Sequence, residues 1–220
     1  MDNPKVLVAI PYHSSKRYCL AKMFDAIESL TYQNKEIVMR VDPQEYGSEN
    51  AVKNQREFFR KLALDKGFDY LYFMGCDTIP PADVIEQLLK QIEVSKILTP
   101  KKEIKIIGGV YWGRHNAENG DPGKAVAWIH EMSQEDQSEL FNTPNRLVHV
   151  DGMGMDAVLI HREVLEKISW LDWFQNDDDY PFYDKAQELG YCVLIDTNVQ
   201  CLHYFNADDY CYRADVVRKC

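Results

Sequence analysis

Tyr70-Leu71-Tyr72-Phe73-Met74-Gly75-Cys76-Asp77-Thr78-Ile79-Pro80-Pro81 sets five apolar residues, a glycine turn and an acid ahead of a proline pair. The apolar run reads as a buried strand, because a strand covered on both faces needs no polar alternation. The prolines open a helix that turns Val84, Leu88 and Ile92 inward. Asp77 is left between strand and helix, just past the strand's carboxyl end. On the amino-terminal side, residues 5–11 (KVLVAIP) and 36–41 (EIVMRV) read as two more strands. Between them Leu20, Phe24, Ile27 and Leu30 recur at helical spacing over residues 16–30. A second helix starts at a Ser48 or Asn50 cap, carries Val52, Phe59 and Leu62 on one face, and stops at Gly67. On the carboxyl-terminal side, residues 104–107 form a fourth strand that runs into Gly108-Gly109.

The order β-α-β-α-β-α-β predicts an α/β fold with a mostly parallel, Rossmann-like sheet and helices on both faces. Such sheets bind ligands beyond the carboxyl ends of their strands. Tyr12-His13-Ser14, Asp42 and Asp77 all fall there. The second half is mixed. Strands are expected at residues 147–150, 157–160, 192–195 and 199–202, with helices near 163–168 and from about 180 to Leu189, the latter stopped by Gly190. Residues 116–124 and 133–145 are polar without periodicity and read as irregular. With no linker or repeat, one domain is expected over 1–220, divided at about residue 110 into two functional halves.

The chain has 220 residues, a net charge of -10 and a pI near 5.1. An acidic surface repels phosphate backbones, so no nucleic-acid partner is expected. Arg213, Arg218 and Lys219 are too few to reverse that. No apolar run reaches the ~20 residues of a membrane span, and the amino terminus lacks the pattern of a secretory signal. Six cysteines without a CxxC pair then read as reduced thiols, and the compartment as cytoplasmic.

Three positions can carry chemistry. Asp77 is either a turn or capping aspartate, or a carboxylate aimed into the crevice above the sheet. Asp177-Asp178-Asp179 is either a solvated acidic loop or a set of mutually repelling carboxylates, one of them tuned as a general base. Trp173, Phe174, Tyr180 and Phe182 around that run are core residues or a sugar-stacking surface. His203, at a strand end after Cys201-Leu202, is a hydrogen-bonded structural histidine or a metal ligand, and with Cys201 makes only a weak zinc signal.

The order of these elements resembles the family-2-like glycosyltransferases of the GT-A fold. The similarity runs over residues 5–12, 37–42, 68–81, 106–114 (IIGGVYWGR), 149–162 (HVDGMGMDAVLIHR), 178–191 and 199–203. It implies a nucleotide-diphosphate sugar donor, an acceptor hydroxyl of unspecified origin, and transfer with inversion. Residue by residue, it implies that Asp77 is the last acid of the "DxD" triplet and a metal ligand. His203 becomes a late metal ligand, and Asp179 or Asp178 the catalytic base. Pro11, His13, Asp42, Arg56 and Cys76 fall on the donor side, with residues 1–110 as the nucleotide-sugar half. Trp112, Gly152, Gly154 and Trp173 fall on the acceptor side, with residues 111–220 as the acceptor and catalytic half. Arg114, Met153 and Met155 are secondary candidates there. The sequence departs from the pattern at Gly75, which stands where the first acid of the triplet belongs.

A diphosphate leaving group is strongly anionic. Without a visible Lys/Arg cradle, a divalent cation, Mn2+ or Mg2+, is expected to neutralise it, held by carboxylates and one imidazole. The turn Pro11-Tyr12-His13-Ser14-Ser15 is no GxGxxG, and no Walker A sequence occurs. Dinucleotide and P-loop chemistry are therefore disfavoured. A glycoside hydrolase built on the 177–179 acids would need neither metal nor nucleotide. A sugar-nucleotide-binding module with impaired catalysis is the alternative that Gly75 suggests.

Overall fold

A computed structural model describes residues 3–41, 51–98, 104–113, 124–172, 179–206, 209–211 and 217–219. The elements in chain order are β1 (Val6–Tyr12), α1 (Leu20–Ser29), β2 (Lys35–Val41), α2 (Ala51–Asp65), β3 (Tyr70–Met74), β4 (Thr78–Ile79), α3 (Val84–Leu98) and β5 (Ile104–Val110). There follow β6 (Ala127–Trp128), α4 (Gln134–Asn142), β7 (Leu147–His149), β8 (Gly152–Met153), β9 (Ala157–His161), α5 (Arg162–Lys167) and α6 (Tyr180–Glu188). The chain closes with β10 (Cys192–Gln200), β11 (Leu202–Tyr204), β12 (Asp209–Cys211) and β13 (Val217–Lys219).

The central sheet has seven strands in the order β2-β1-β3-β9-β5-β10-β7. β1 pairs in parallel with β2 and β3, and β10 with β5. β9 enters between β3 and β5 antiparallel to both, and β7 closes the edge antiparallel to β10. The sheet is thus mostly parallel, as the sequence predicts. β1 explains why its run reads without alternation: Val6 through Ile10 are all fully buried. Leu7 and Ala9 enter one core cluster, with Phe59, Phe73, Trp170, Phe182 and Ala186, under α2, α5 and α6. Val6, Val8 and Ile10 enter the other, with Met23, Val84, Leu88 and Ile92, under α1 and α3. Each buried Val, Leu, Ile, Phe or Met side chain contributes about 1.5–3 kcal/mol relative to exposure.

Several local expectations are corrected. The first helical stretch opens with a 3-10 turn over Ser14–Cys19, and α1 buries Met23 and Ala26 while Phe24 is 45% exposed. On α2 the buried face is Ala51, Gln55, Arg56, Glu57, Phe59 and Ala63, and Val52 faces solvent. The polar stretch read as irregular contains α4, which buries Phe141 alone and is capped by Ser133, whose Oγ accepts from Asp136 N. The two short strands expected over 192–202 are one nine-residue strand, β10, followed by β11.

A smaller sheet, ordered β13-β12-β11-β4, lies past the carboxyl ends of the main strands. β4 continues from β3, β11 continues from β10, and the two pair through Leu202↔Ile79 and His203↔Thr78. This pairing brings the 75–79 and 201–204 segments together. None of the helices among the described residues is long and apolar enough to cross a membrane. Cys19, Cys76, Cys192 and Cys201 form no disulfide.

Candidate functional site

Three ligating side chains meet where β3, β9 and β11 converge. One oxygen of Asp77, one of Asp156 and a ring nitrogen of His203 all lie within 4.8 Å of one another. Asp77 follows β3, and its carbonyl is held by Tyr204 N at 2.8 Å. Asp156 stands just before β9. Because β9 runs antiparallel, its first residue lies beside the last residue of β3, in the register Met74↔Ala157. Gly75 N then donates to Asp156 O at 2.8 Å. His203 sits in β11, and its Nδ1 is 2.8 Å from Trp112 O. A carbonyl only accepts, so Nδ1 donates to it, which leaves Nε2 facing Asp77 Oδ2 at 3.6 Å. Carbonyls behind metal-ligating imidazoles orient them in the same way.

Gly75 has a steric reason. A Cβ built there would lie 2.6 Å from Asp156 Cγ and 2.7 Å from its Cβ. The space that a side chain at residue 75 would use is filled by the Asp156 carboxylate, so the second acid arrives from another strand.

Burial alone would push the Asp77 carboxyl up. The neighbouring His203 and the Lys16 ammonium outweigh it and hold the group well below the usual carboxylate range. Asp156 moves the other way, raised by burial and then by the charge of Asp77, with His203, Arg56 and Lys16 opposing. Two carboxylates and one imidazole nitrogen facing one space are a set of ligand atoms that suits a divalent cation. Lys16 Nζ is ion-paired with Asp77 Oδ2, and Tyr18 Oη donates to the same oxygen at 3.3 Å. The sequence reading found no cationic cradle, yet Lys16 and Arg56 both reach this end of the sheet.

Asp179 occupies the residue before α6 but makes no side-chain cap. It is ion-paired instead with Arg56 Nη1 of α2, whose side chain is buried. The pair lies within electrostatic reach of the three-residue cluster, since Tyr111, raised well above its ordinary value chiefly by burial, is raised further by both Asp156 and Asp179. Beside Arg56, the Glu57 carboxylate accepts from Arg60 at 2.9 and 3.0 Å, from Ser169 Oγ at 3.1 Å and from Trp170 N at 3.2 Å.

The remaining candidates are placed as follows. His13 caps the 3-10 turn, its Nδ1 accepting from Ser15 N at 3.1 Å. Pro11 lies within β1, paired with Arg40. The Cys76 thiol is buried, and burial with Asp77 beside it pushes it up to about 12, which rules out a resting thiolate. Trp112 is wholly buried, so it is its carbonyl that reaches the site, through His203. Met153 and Met155 are buried core residues rather than lining an entrance. Gly152 lies against the Trp128 ring, and a Cβ on Gly154 would lie 1.7 Å from Tyr111 Oη. Trp128 stacks on Tyr180 with centroids 4.0 Å apart, giving this side of the molecule an aromatic face. Asp42, Arg114, Trp173, Phe174, Asp177 and Asp178 fall outside the described residues.

Sequence reasoning missed Asp156 and Lys16. An acid directly before the apolar run 157–160 was the signal for the first. For Lys16 nothing marked one lysine in a turn.

No protein-family model matches the chain, and no curated protein matches it. Solved structures do. The A197 protein from STIV superposes with a TM-score of 0.64 at 16% identity, covering 98% of this chain and 93% of that one. The mannosyltransferase PcManGT from Pyrobaculum calidifontis, solved with GDP-Man and Mn2+, gives 0.46 at 16% identity over 88% of this chain and 57% of its own. Mannose-1-phosphate geranyltransferase from Thermus thermophilus gives 0.39 at 10% identity, over 87% and 73%. At these identities the first likeness is one of fold.

Proposed function

We propose that this chain is a metal-dependent glycosyltransferase of GT-A type, moving a sugar from a nucleotide-diphosphate donor to an acceptor hydroxyl with inversion. The observation that carries the proposal is the Asp77–Asp156–His203 cluster within 4.8 Å, at the strand ends where an α/β sheet binds its ligands. In this reading Asp77, Asp156 and His203 hold Mn2+ or Mg2+, which when bound stabilises charge on the departing diphosphate. Trp112, through its carbonyl, holds Nδ1 of His203 and so keeps Nε2 aimed at the ligand space. Asp179 takes the acceptor's proton, and Arg56 fixes its carboxylate. General-base help of this kind is worth roughly 10²–10⁴-fold. The first half of the chain contributes the donor side and the second half the acceptor side, where Trp128 and Tyr180 offer a stacking surface for a sugar ring. Asp156 also weakens the case for an impaired binding module, since the acid missing at residue 75 is supplied in space.

The test is a panel of UDP-, GDP- and dTDP-sugars with and without Mn2+, followed by thermal shift and by donor hydrolysis. Asp77→Ala is expected to abolish Mn2+-dependent stabilisation by the donor. Asp179→Asn is expected to retain it and to lose turnover by at least about 10²-fold. Normal donor binding and turnover in both variants would refute the assignment.

A further inference from the structure

Lys16 is the residue of the site that neither metal ligation nor base catalysis uses. Its ammonium is paired with Oδ2 of Asp77, the same oxygen that faces Nε2 of His203 at 3.6 Å. The lysine side chain is 16% exposed and the aspartate 4%, so water screens the pair little. A cation bridging Asp77 and His203 would therefore meet a positive charge already seated on its ligand. Two like charges about 4 Å apart in such surroundings repel strongly, so metal and ammonium compete for one oxygen.

The ammonium can leave without disturbing the fold. Lys16 lies in the 3-10 turn between β1 and α1, at backbone angles (φ -94°, ψ 21°) that break the regular turn. Four methylenes let its charge move while the backbone stays, and a compact, strongly hydrated ammonium serves phosphate as a point charge. The turn stands at the carboxyl end of β1, on the side of the sheet where a diphosphate bound to the same metal would lie.

We infer that Lys16 is an exchangeable counter-ion: it neutralises Asp77 before metal binds, and once displaced it pairs with the diphosphate of the donor. The inference rests on the metal and diphosphate reading above and adds to it a coupling between the two ligands. Metal binding is weakened by the lysine it must displace, and diphosphate binding is strengthened by the lysine thus released. Each ligand then raises the affinity for the other, as reciprocal linkage requires.

The experiment uses the whole chain with two probes, Mn2+ alone (titrated by the loss of its free EPR signal) and inorganic pyrophosphate at saturating Mn2+ (by calorimetry). Lys16→Met is expected to bind Mn2+ roughly 10-fold more tightly than wild type and pyrophosphate roughly 10-fold more weakly, each tenfold being about 1.4 kcal/mol. Lys16→Arg, which keeps the charge, is expected to stay near wild type in both titrations. Mn2+ affinity in Lys16→Met that is unchanged or reduced overturns the exchange. So does a pyrophosphate affinity that does not fall. Asp77→Ala separates the two levels of the argument: if wild type binds Mn2+ no better than Asp77→Ala, the metal centre itself is refuted and the role of Lys16 with it.

Discussion

Replacing Gly75 by alanine would place a Cβ 2.6 Å from Asp156 Cγ, 2.7 Å from its Cβ and 3.0 Å from Oδ1. The backbones cannot part to make room. Gly75 N is bonded to Asp156 O at 2.8 Å, and the next pair along, Met74↔Ala157, belongs to the continuous β3–β9 ladder. The Asp156 side chain must therefore be driven out of its place by the better part of an ångström. Overpacking of this kind costs about 1–3 kcal/mol. The effect on Mn2+ should be larger in proportion, because a ligand is displaced: a loss at least as great as the roughly 10–100-fold that follows removal of an outer-shell partner. The informative variant is the double exchange Gly75→Asp with Asp156→Gly, which moves the acid to the other strand and clears its old space. Each single change should destabilise and weaken Mn2+ binding. Together they should recover about 0.5–3 kcal/mol of coupling and a measurable part of the metal affinity. Urea unfolding reads the first quantity and an Mn2+ titration the second. Strict additivity in both, or a Gly75→Ala variant as stable and as metal-competent as wild type, would show that the two positions do not share one acid.

Two further outcomes concern stability. Glu57 sits with its carboxyl below the ordinary value: burial pushes it up, but Arg60, Ser169 and Trp170 N together outweigh burial. A lowered folded pKa contributes stability above the unfolded value and loses it as pH falls through the folded one. Glu57→Gln should therefore cost about 3 kcal/mol at pH 7 by denaturant titration, with the gap to wild type closing in acid; a gap independent of pH would contradict this. Gly154→Ala sets a methyl 1.7 Å from Tyr111 Oη and 2.7 Å from Val126 Cγ1. At about 2–3 kcal/mol this should lower Tm by roughly 4–12 °C, partly restored by Tyr111→Phe, as calorimetry would show.

The first half of the molecule was legible because β1 and β3 are buried on both faces. Val6–Ile10 and Tyr70–Met74 therefore stand out as unbroken apolar runs between helical segments. Asp77 and His203 were legible as candidates because one follows a strand and the other was expected to end one, although His203 lies within β11. Asp156 was not, since its role depends on the direction of β9, and an apolar run of five carries no sign of which way it runs. Position 75 looked like a lost acid for the same reason: the sequence shows the glycine and hides what fills its space. Helix α4 was hidden by having a single buried residue, Phe141, which produces no period, although Ser133 three residues before Asp136 did carry a capping signature. The Arg56–Asp179 pair joins positions 123 residues apart, and nothing local announces it.

The reversed strand in the middle of the sheet also bears on how the protein assembles. β9 lies between β3 and β5, closing contacts between residues more than eighty positions apart along β3 and fifty or more along β5. Asp156 reaches Asp77 in that same event, so a nascent chain ending before residue 156 holds Asp77 and Lys16 but lacks the second acid. Competence to capture a cation would then appear late and all at once, and the rate at which Mn2+ is taken up during refolding would time the insertion of a single strand.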